Sequence, residues 1–120
     1  ALLEKGARVN KNGWTPLHYA AASGNNSIVT MLLAKDAFVN AASPNATTPV
    51  MMAARGGHIY TVKLLYDNGA DITMKNQRGY SAIDFALENK NTDIVKGLDY
   101  LIRKEAELEK RKNVLPKFPF

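Results

Sequence analysis

The stretch Thr15-Pro16-Leu17-His18-Tyr19-Ala20-Ala21 returns as Thr48-Pro49-Val50-Met51-Met52-Ala53-Ala54, and more loosely as Ser81-Ala82-Ile83-Asp84-Phe85-Ala86-Leu87. Successive copies stand 33 residues apart. The register holds further along the chain. Gly24 falls over Gly57, Val29 over Val62 and Val95, and Leu32 over Leu65 and Leu98. Agreement at so many positions marks an internal repeat, and a period of this length belongs to architectures built by stacking one small unit.

The residues of each copy predict its local shape. Thr15 can accept the first free amide hydrogens of a helix, and Pro16 suits the first turn. Thr48-Pro49 repeats the device, and Ser81 with Asp84 is a capping-box variant. The helix that follows is rich in small residues, Ala20, Ala21, Ala53 and Ala54, which let neighbouring helices approach closely. Gly24 and Gly57 are placed to end it in a left-handed conformation. A second helix is read from Ile28, Val29, Leu32 and Leu33, and again from Val62, Leu64 and Leu65. A turn and an extended hairpin then lead to the next Thr-Pro. No unit buries its apolar face alone, so the core must form between neighbours.

The period, the T-P-L-H-x-A-A motif, the glycine, the I-V-x-x-L-L run and the closing Gly69-Ala70-Asp71 together resemble the ankyrin repeat over about residues 1–98. Asp36-Ala37-Phe38 and Gly6-Ala7-Arg8 are weaker copies of the closing turn. The resemblance implies an all-α fold, an ankyrin repeat solenoid of stacked helix-turn-helix units with hairpin loops. A long C-terminal capping helix is predicted from about Thr92 to Arg111. Ile94, Val95, Leu98, Leu101 and Ile102 keep helical spacing there, before Glu105, Glu107, Glu109 and Lys110 turn the pattern polar. The expected organisation is a repeat domain over 1–112, divided into a partial repeat 1–10, repeats 11–43 and 44–76, and a capping repeat 77–112, with a tail over 113–120. Pro116 and Pro119 keep that tail from being helical, and docking of Leu115, Phe118 and Phe120 on the terminal helices is expected.

Two departures from the pattern carry expectations of their own. The segment Ala1–Lys5 reads as a second helix without its partner, as in a fragment of a longer array, so its outer face is expected to be open. From Gly6 to Thr15 is nine residues, whereas Asp36 to Thr48 and Gly69 to Ser81 are twelve each. The first loop, Val9 to Trp14, should therefore form a blunted finger. This short loop together with Thr47–Arg55 is similar to small bacterial ankyrin proteins, several of them exported, which suggests a bacterial source and a periplasmic location.

Composition limits the function classes. Hydrophobic residues make up 46% and charged residues 22% of the 120, enough apolar surface for a packed core. Cysteine is absent, which excludes disulfides, thiol nucleophiles and thiolate zinc sites. The net charge is +5, but the basic residues are scattered and read as solvated surface, not as a nucleic-acid footprint. No apolar run approaches the roughly 20 residues of a membrane span. The two histidines, His18 and His58, lie far apart without carboxylates at ligand spacing, and no nucleophile, phosphate-loop or dinucleotide motif occurs. By the resemblance His18 is a structural histidine bonded to loop backbone and to the motif threonine. Neither an enzyme nor a metal or cofactor site is expected. Asn25-Asn26-Ser27 and Asn45-Ala46-Thr47 fit the short N-glycosylation pattern, and Pro116 to Pro119 a P-x-x-P; both are too common to carry weight.

What the implied architecture offers is a surface. The position after the motif histidine faces the palm of the stack, and it carries Tyr19, Met52 and Phe85. The position before the Thr-Pro holds Trp14, Thr47 and Tyr80. Later in the first helices come Arg55 and Glu88, and the fingertips add Lys11, Asn12, Asn45, Lys75, Gln77 and Arg78. Aromatics, Met and Arg are enriched at interface centres. The expected function is binding of another protein, with Trp14, Tyr19, Met52, Tyr80 and Phe85 as anchors and Arg55 and Arg78 orienting an acidic or carbonyl-rich segment. The plainer alternative for any one apolar position is that it covers the helix beneath it. At the level of function the alternative is a structural spacer in a longer chain, or self-association through the open amino-terminal face.

Overall fold

A computed structural model describes residues 13–114, with the backbone alone for residues 113 and 114. The expectations for Ala1–Lys5, for the loop before Gly13 with its fingertips Lys11 and Asn12, and for Leu115–Phe120 lie outside these described residues. Among the described residues six helices follow in order: α1 Pro16–Ser23, α2 Asn26–Ala34, α3 Pro49–Gly56, α4 Ile59–Asp67, α5 Ala82–Glu88 and α6 Thr92–Val114. They form three helical pairs. Helices α1, α3 and α5 stack on one another as an inner layer, and α2, α4 and α6 each lie behind their partner.

The repeat seen in the sequence is a repeat in space. Thr15, Thr48 and Ser81 precede their helices with extended backbone at φ −86°, −102° and −98°, and all three are buried. Their side-chain chemistry differs. The Thr15 hydroxyl shares a hydrogen bond with His18 Nδ1 at 2.9 Å, and the Ser81 amide and hydroxyl both donate to Asp84 Oδ2, at 2.8 and 3.1 Å. Thr48 departs from the expected capping. Met51 stands where the other copies have His18 and Asp84, and its sulfur accepts only a long bond of 3.5 Å from the Thr48 amide. The fully buried Thr48 hydroxyl has no hydrogen-bond partner among the described residues.

Gly24 and Gly57 close α1 and α3 at φ 73° and 78°, the left-handed region in which a Cβ crowds the next carbonyl. Space is a second constraint at Gly24. A Cβ there would lie 2.6 Å from the His58 ring. That ring reaches back to the preceding unit, where Nε2 meets the Ala22 carbonyl at 2.9 Å. Asn91, at the same register one unit later, donates to the Ala54 carbonyl at 3.3 Å. These bonds stitch the starts of α4 and α6 each to the unit before it.

The core runs between the layers as a continuous stripe. Leu17, Val29, Leu32, Val50, Met51, Leu65, Ile72 and Leu98 are at most 1% exposed. Full burial of each such side chain is worth about 1.5–3 kcal/mol, and the alanines at 0% exposure (Ala21, Ala53, Ala54, Ala82 and Ala86) are what bring the inner helices close. The hairpins are tighter than the expected extended form. There is no strand among the described residues. The two fully described fingers are each closed by one pair of turn bonds: Thr47 O accepts from Ser43 N at 2.9 Å and Ser43 O from Ala46 N at 2.8 Å, matched in the next unit by Tyr80 O from Asn76 N and Asn76 O from Gly79 N. Helix α6 runs to Val114, past the predicted Arg111. It buries Ile94 and Leu98, half-buries Leu101 and Ile102, and is exposed from Arg103 to Lys112.

Candidate functional site

Finger geometry decides which side chains meet. In the third unit Asn76 is 6% exposed and organises its whole turn. Its Oδ1 accepts from the amides of Arg78 at 2.9 Å and Tyr80 at 3.1 Å, while its Nδ2 donates to Thr47 Oγ1 of the previous finger at 3.2 Å. Ser43 does the same work one register earlier, accepting from the Thr47 amide at 3.1 Å. The fingers are then tied side by side. Gln77 donates through its amide to Asn45 O at 2.9 Å and through Nε2 to Pro44 O at 3.2 Å. A finger held at both its base and its flank presents its tip residues in fixed positions.

Between these fingers and the inner helices lies a cleft of about 140 Å³. Five of the seven residues singled out from the sequence line it: Trp14, Met52, Arg55, Arg78 and Phe85. A sixth, Tyr80, braces it. Its ring packs edge-on against Phe85 with centroids 5.3 Å apart, and the Arg78 guanidinium lies 4.3 Å above it. Tyr19 is elsewhere. It is 63% exposed on α1 and does not line the cleft, although it shares the register of Met52 and Phe85. The three equivalents thus differ in depth: Tyr19 stands in solvent, Met52 is half-buried, and Phe85 at 6% exposure forms floor more than rim.

The remaining lining comes from Asn45, Thr47, Asn76 and Glu88. Asn76 is the residue that sequence reasoning missed. The signal available was its register, 33 residues after Ser43, but a serine and an asparagine in that slot share no motif. Among the described residues neither Arg55 nor Arg78 enters an ion pair; the surface pairs are Lys63 with Asp67 and Arg103 with Asp99. The cleft is therefore a mixed surface: Trp14, Met52 and Phe85 supply its apolar part, and Asn45, Thr47 and Asn76 line it beside one carboxylate, Glu88, and two guanidinium groups without an ion pair among the described residues.

His18 underlies this wall. Its Nε2 donates to Thr47 O at 2.7 Å, which leaves Nδ1 to accept from the Thr15 amide at 3.0 Å and fixes the neutral tautomer. Desolvation by burial holds its pKa below the usual 6.5, against the opposing pull of the backbone bonds. Trp14 packs edge-on to the same ring, centroids 5.2 Å apart. His18 and His58 each turn Nε2 to a backbone carbonyl, that of Thr47 and that of Ala22. No cluster of three His, Cys, Asp or Glu able to hold a metal occurs among the described residues, and no described helix is long and apolar enough to cross a membrane.

Comparison with known proteins agrees with the repeat. The family described as ankyrin repeats (3 copies) matches residues 1–43 and 38–112. The chain is 36% identical over 91 residues to the ankyrin repeat and SAM domain-containing protein 6 of Rattus norvegicus, covering 73% of this chain and 10% of that protein. It is 30% identical over 96 residues to the ankyrin and armadillo repeat-containing protein of Homo sapiens, 78% of this chain and 6% of that one. It is 35% identical over 105 residues to protein phosphatase 1 regulatory subunit 12A of Rattus norvegicus, 88% of this chain and 9% of that one. The chain thus spans a tenth or less of these relatives, all from mammals, and the expectation of a bacterial source finds no support in them.

Proposed function

The chain belongs to the ankyrin repeat family, and from that premise we propose that it is a non-catalytic module that binds another protein through the cleft and finger tips of its stack. Members of this family generally serve protein–protein interaction, and one relative is by its name a regulatory subunit of a protein phosphatase. The observation that carries the reading for this chain is the convergence in one cleft of Trp14, Met52 and Phe85 with two arginines that have no ionic partner among the described residues. Aromatic, Met and Arg side chains are the types enriched at interface centres. An enzyme needs convergent nucleophiles, acids or bases, and the cleft offers a single carboxylate and no histidine.

A photo-reactive amino acid placed at position 52, compared with one at position 60, tests this in the cells the protein comes from. Tyr60 is 78% exposed on α4 and outside the cleft. The expected result is a covalent adduct to another polypeptide from position 52 and none from 60. Equal labelling from both positions, or from neither, overturns the reading. A second reading, a spacer within a longer chain, is favoured by the small share of each relative that the chain spans; it predicts no adduct from either position.

A further inference from the structure

We infer that the cleft takes a short partner segment in which one large apolar side chain stands beside an Asp or Glu. This rests on the reading of the cleft as the binding surface and goes further, by naming the chemistry of what enters it.

Size comes first. Small-molecule sites usually enclose 300–1,000 Å³, and this cleft is about 140 Å³. That space suits one bulky side chain better than a cofactor. Its lining is divided: the Trp14 indole, the Met52 thioether and the Phe85 ring offer one apolar patch within a mainly polar rim of Asn45, Thr47, Asn76, Arg55, Arg78 and Glu88. There is room for a single apolar side chain with polar groups around it, and a flexible thioether adapts to more than one shape of guest.

Charge decides what adjoins that side chain. Arg55 and Arg78 carry two positive charges onto the lining and Glu88 one negative, a balance of 2 − 1 = +1. A guanidinium is a planar fork that matches a carboxylate in two parallel bonds. Arg78 is already held in place, since its guanidinium rests on the Tyr80 ring and its amide is bound by Asn76. A cation ordered in advance loses little entropy on binding. Arg55 is exposed and free of any ion pair among the described residues. Glu88 on the same lining disfavours a run of acids, so the best match is a single carboxylate next to an apolar residue. The finger carbonyls of Asn45 and Tyr80 are already engaged.

The experiment is selection of displayed random peptides on the full 120-residue chain, followed by affinity measurement on the enriched peptides. Expected sequences place Asp or Glu within two residues of Leu, Met, Phe or Trp. Their affinity should fall at least tenfold in an R55A/R78A double variant, weaken with added salt, fall in Met52→Ala, and stay unchanged in Tyr60→Ala. Circular dichroism confirms that each variant is folded, and the exposed arginines make the double variant a safe one. Peptides that need Met52 but lack an acid and ignore the arginine changes overturn this inference while leaving the binding surface in place. Peptides indifferent to Met52 and to both arginines overturn the surface itself. Failure to enrich any sequence overturns the inference.

Discussion

His18 of the first described unit donates through Nε2 to the carbonyl of Thr47 at the base of the next finger, across 2.7 Å. One imidazole thereby holds its own helix start, through Thr15, and the neighbouring unit's loop. The bond works only while the ring is neutral, because Nδ1 must accept from the Thr15 amide. A second ring proton would face an N–H donor.

Stability should accordingly depend on pH in one direction. Burial lowers the His18 pKa in the folded chain below 6.5. Below pH 6.5 the unfolded chain takes up a proton that the folded chain refuses, so folding weakens as pH falls. The contribution is complete above about pH 6.5 and is lost at up to about 1.4 kcal/mol per pH unit until the folded pKa is reached. Urea unfolding at pH 7.5, 6.5 and 5.5 should show this slope in the native chain and in His58→Asn. It should be absent in His18→Gln, which starts about 1–3 kcal/mol lower because buried polar partners are left unpaired. An equal slope in His18→Gln defeats the assignment.

The contrast between Thr48 and Thr15 gives a second expectation. Thr48 keeps a buried hydroxyl that no described residue satisfies, and burying such a group unpaired costs about 1–3 kcal/mol. Thr48→Val removes the hydroxyl at constant shape and should be neutral or stabilising by up to about 1 kcal/mol. Thr15→Val breaks the contact with His18 and should lose about 1–2 kcal/mol. Denaturant midpoints of the two variants check the difference in sign.

Backbone repetition outlasts residue repetition at two registers. Lys90 stands one unit after Gly57 and two after Gly24 with φ 58°, and Ala46 stands one unit before Gly79 with φ 64° against 79°. An L side chain in this region costs about 1–2 kcal/mol, offset in part because glycine loosens the unfolded chain by about 0.4–1 kcal/mol. Lys90→Gly and Ala46→Gly should each stabilise by about 0.5–1 kcal/mol. The reverse change, Gly24→Ala, meets both the strain and the His58 ring and should cost more than 2 kcal/mol. Thermal unfolding that lowers the midpoint for Lys90→Gly counts against the argument.

These cases also show where the sequence is legible. Period, helix starts and the buried stripe could be read because they rest on residue types with one physical role each, such as Pro16 and Pro49 in a first turn, or Leu17 and Val50 in a core. The cleft was readable in part. Met52, Phe85, Trp14, Arg55 and Arg78 share registers that the stacking brings together. Depth within a shared register was not readable. Tyr19 and Phe85 hold the same position, yet one is 63% and the other 6% exposed. That difference is set by neighbours: Phe85 has the Tyr80 ring against it, and no ring packs on Tyr19 among the described residues. Asn76 escaped notice because its importance lies in three hydrogen bonds to backbone and finger atoms, which a residue type alone does not announce.

Asn76 makes the last prediction a test of positioning. Its side chain is buried and binds the amides of Arg78 and Tyr80 as well as Thr47 Oγ1. Asn76→Ala strands two donors and frees the third finger, so stability should fall by about 1–3 kcal/mol. Arg78→Ala removes an exposed side chain from the same finger and should change stability by no more than about 0.5 kcal/mol. Binding of a selected acidic–apolar peptide should nevertheless weaken in both variants, in Arg78→Ala by loss of the guanidinium and in Asn76→Ala by loss of its fixed position. Calorimetric titration separates the two causes. If position is what matters, Asn76→Ala retains the salt dependence of peptide binding while its binding entropy becomes less favourable, whereas Arg78→Ala loses part of the salt dependence. An Asn76→Ala variant that binds as tightly as the native chain would show that the finger needs no such anchor.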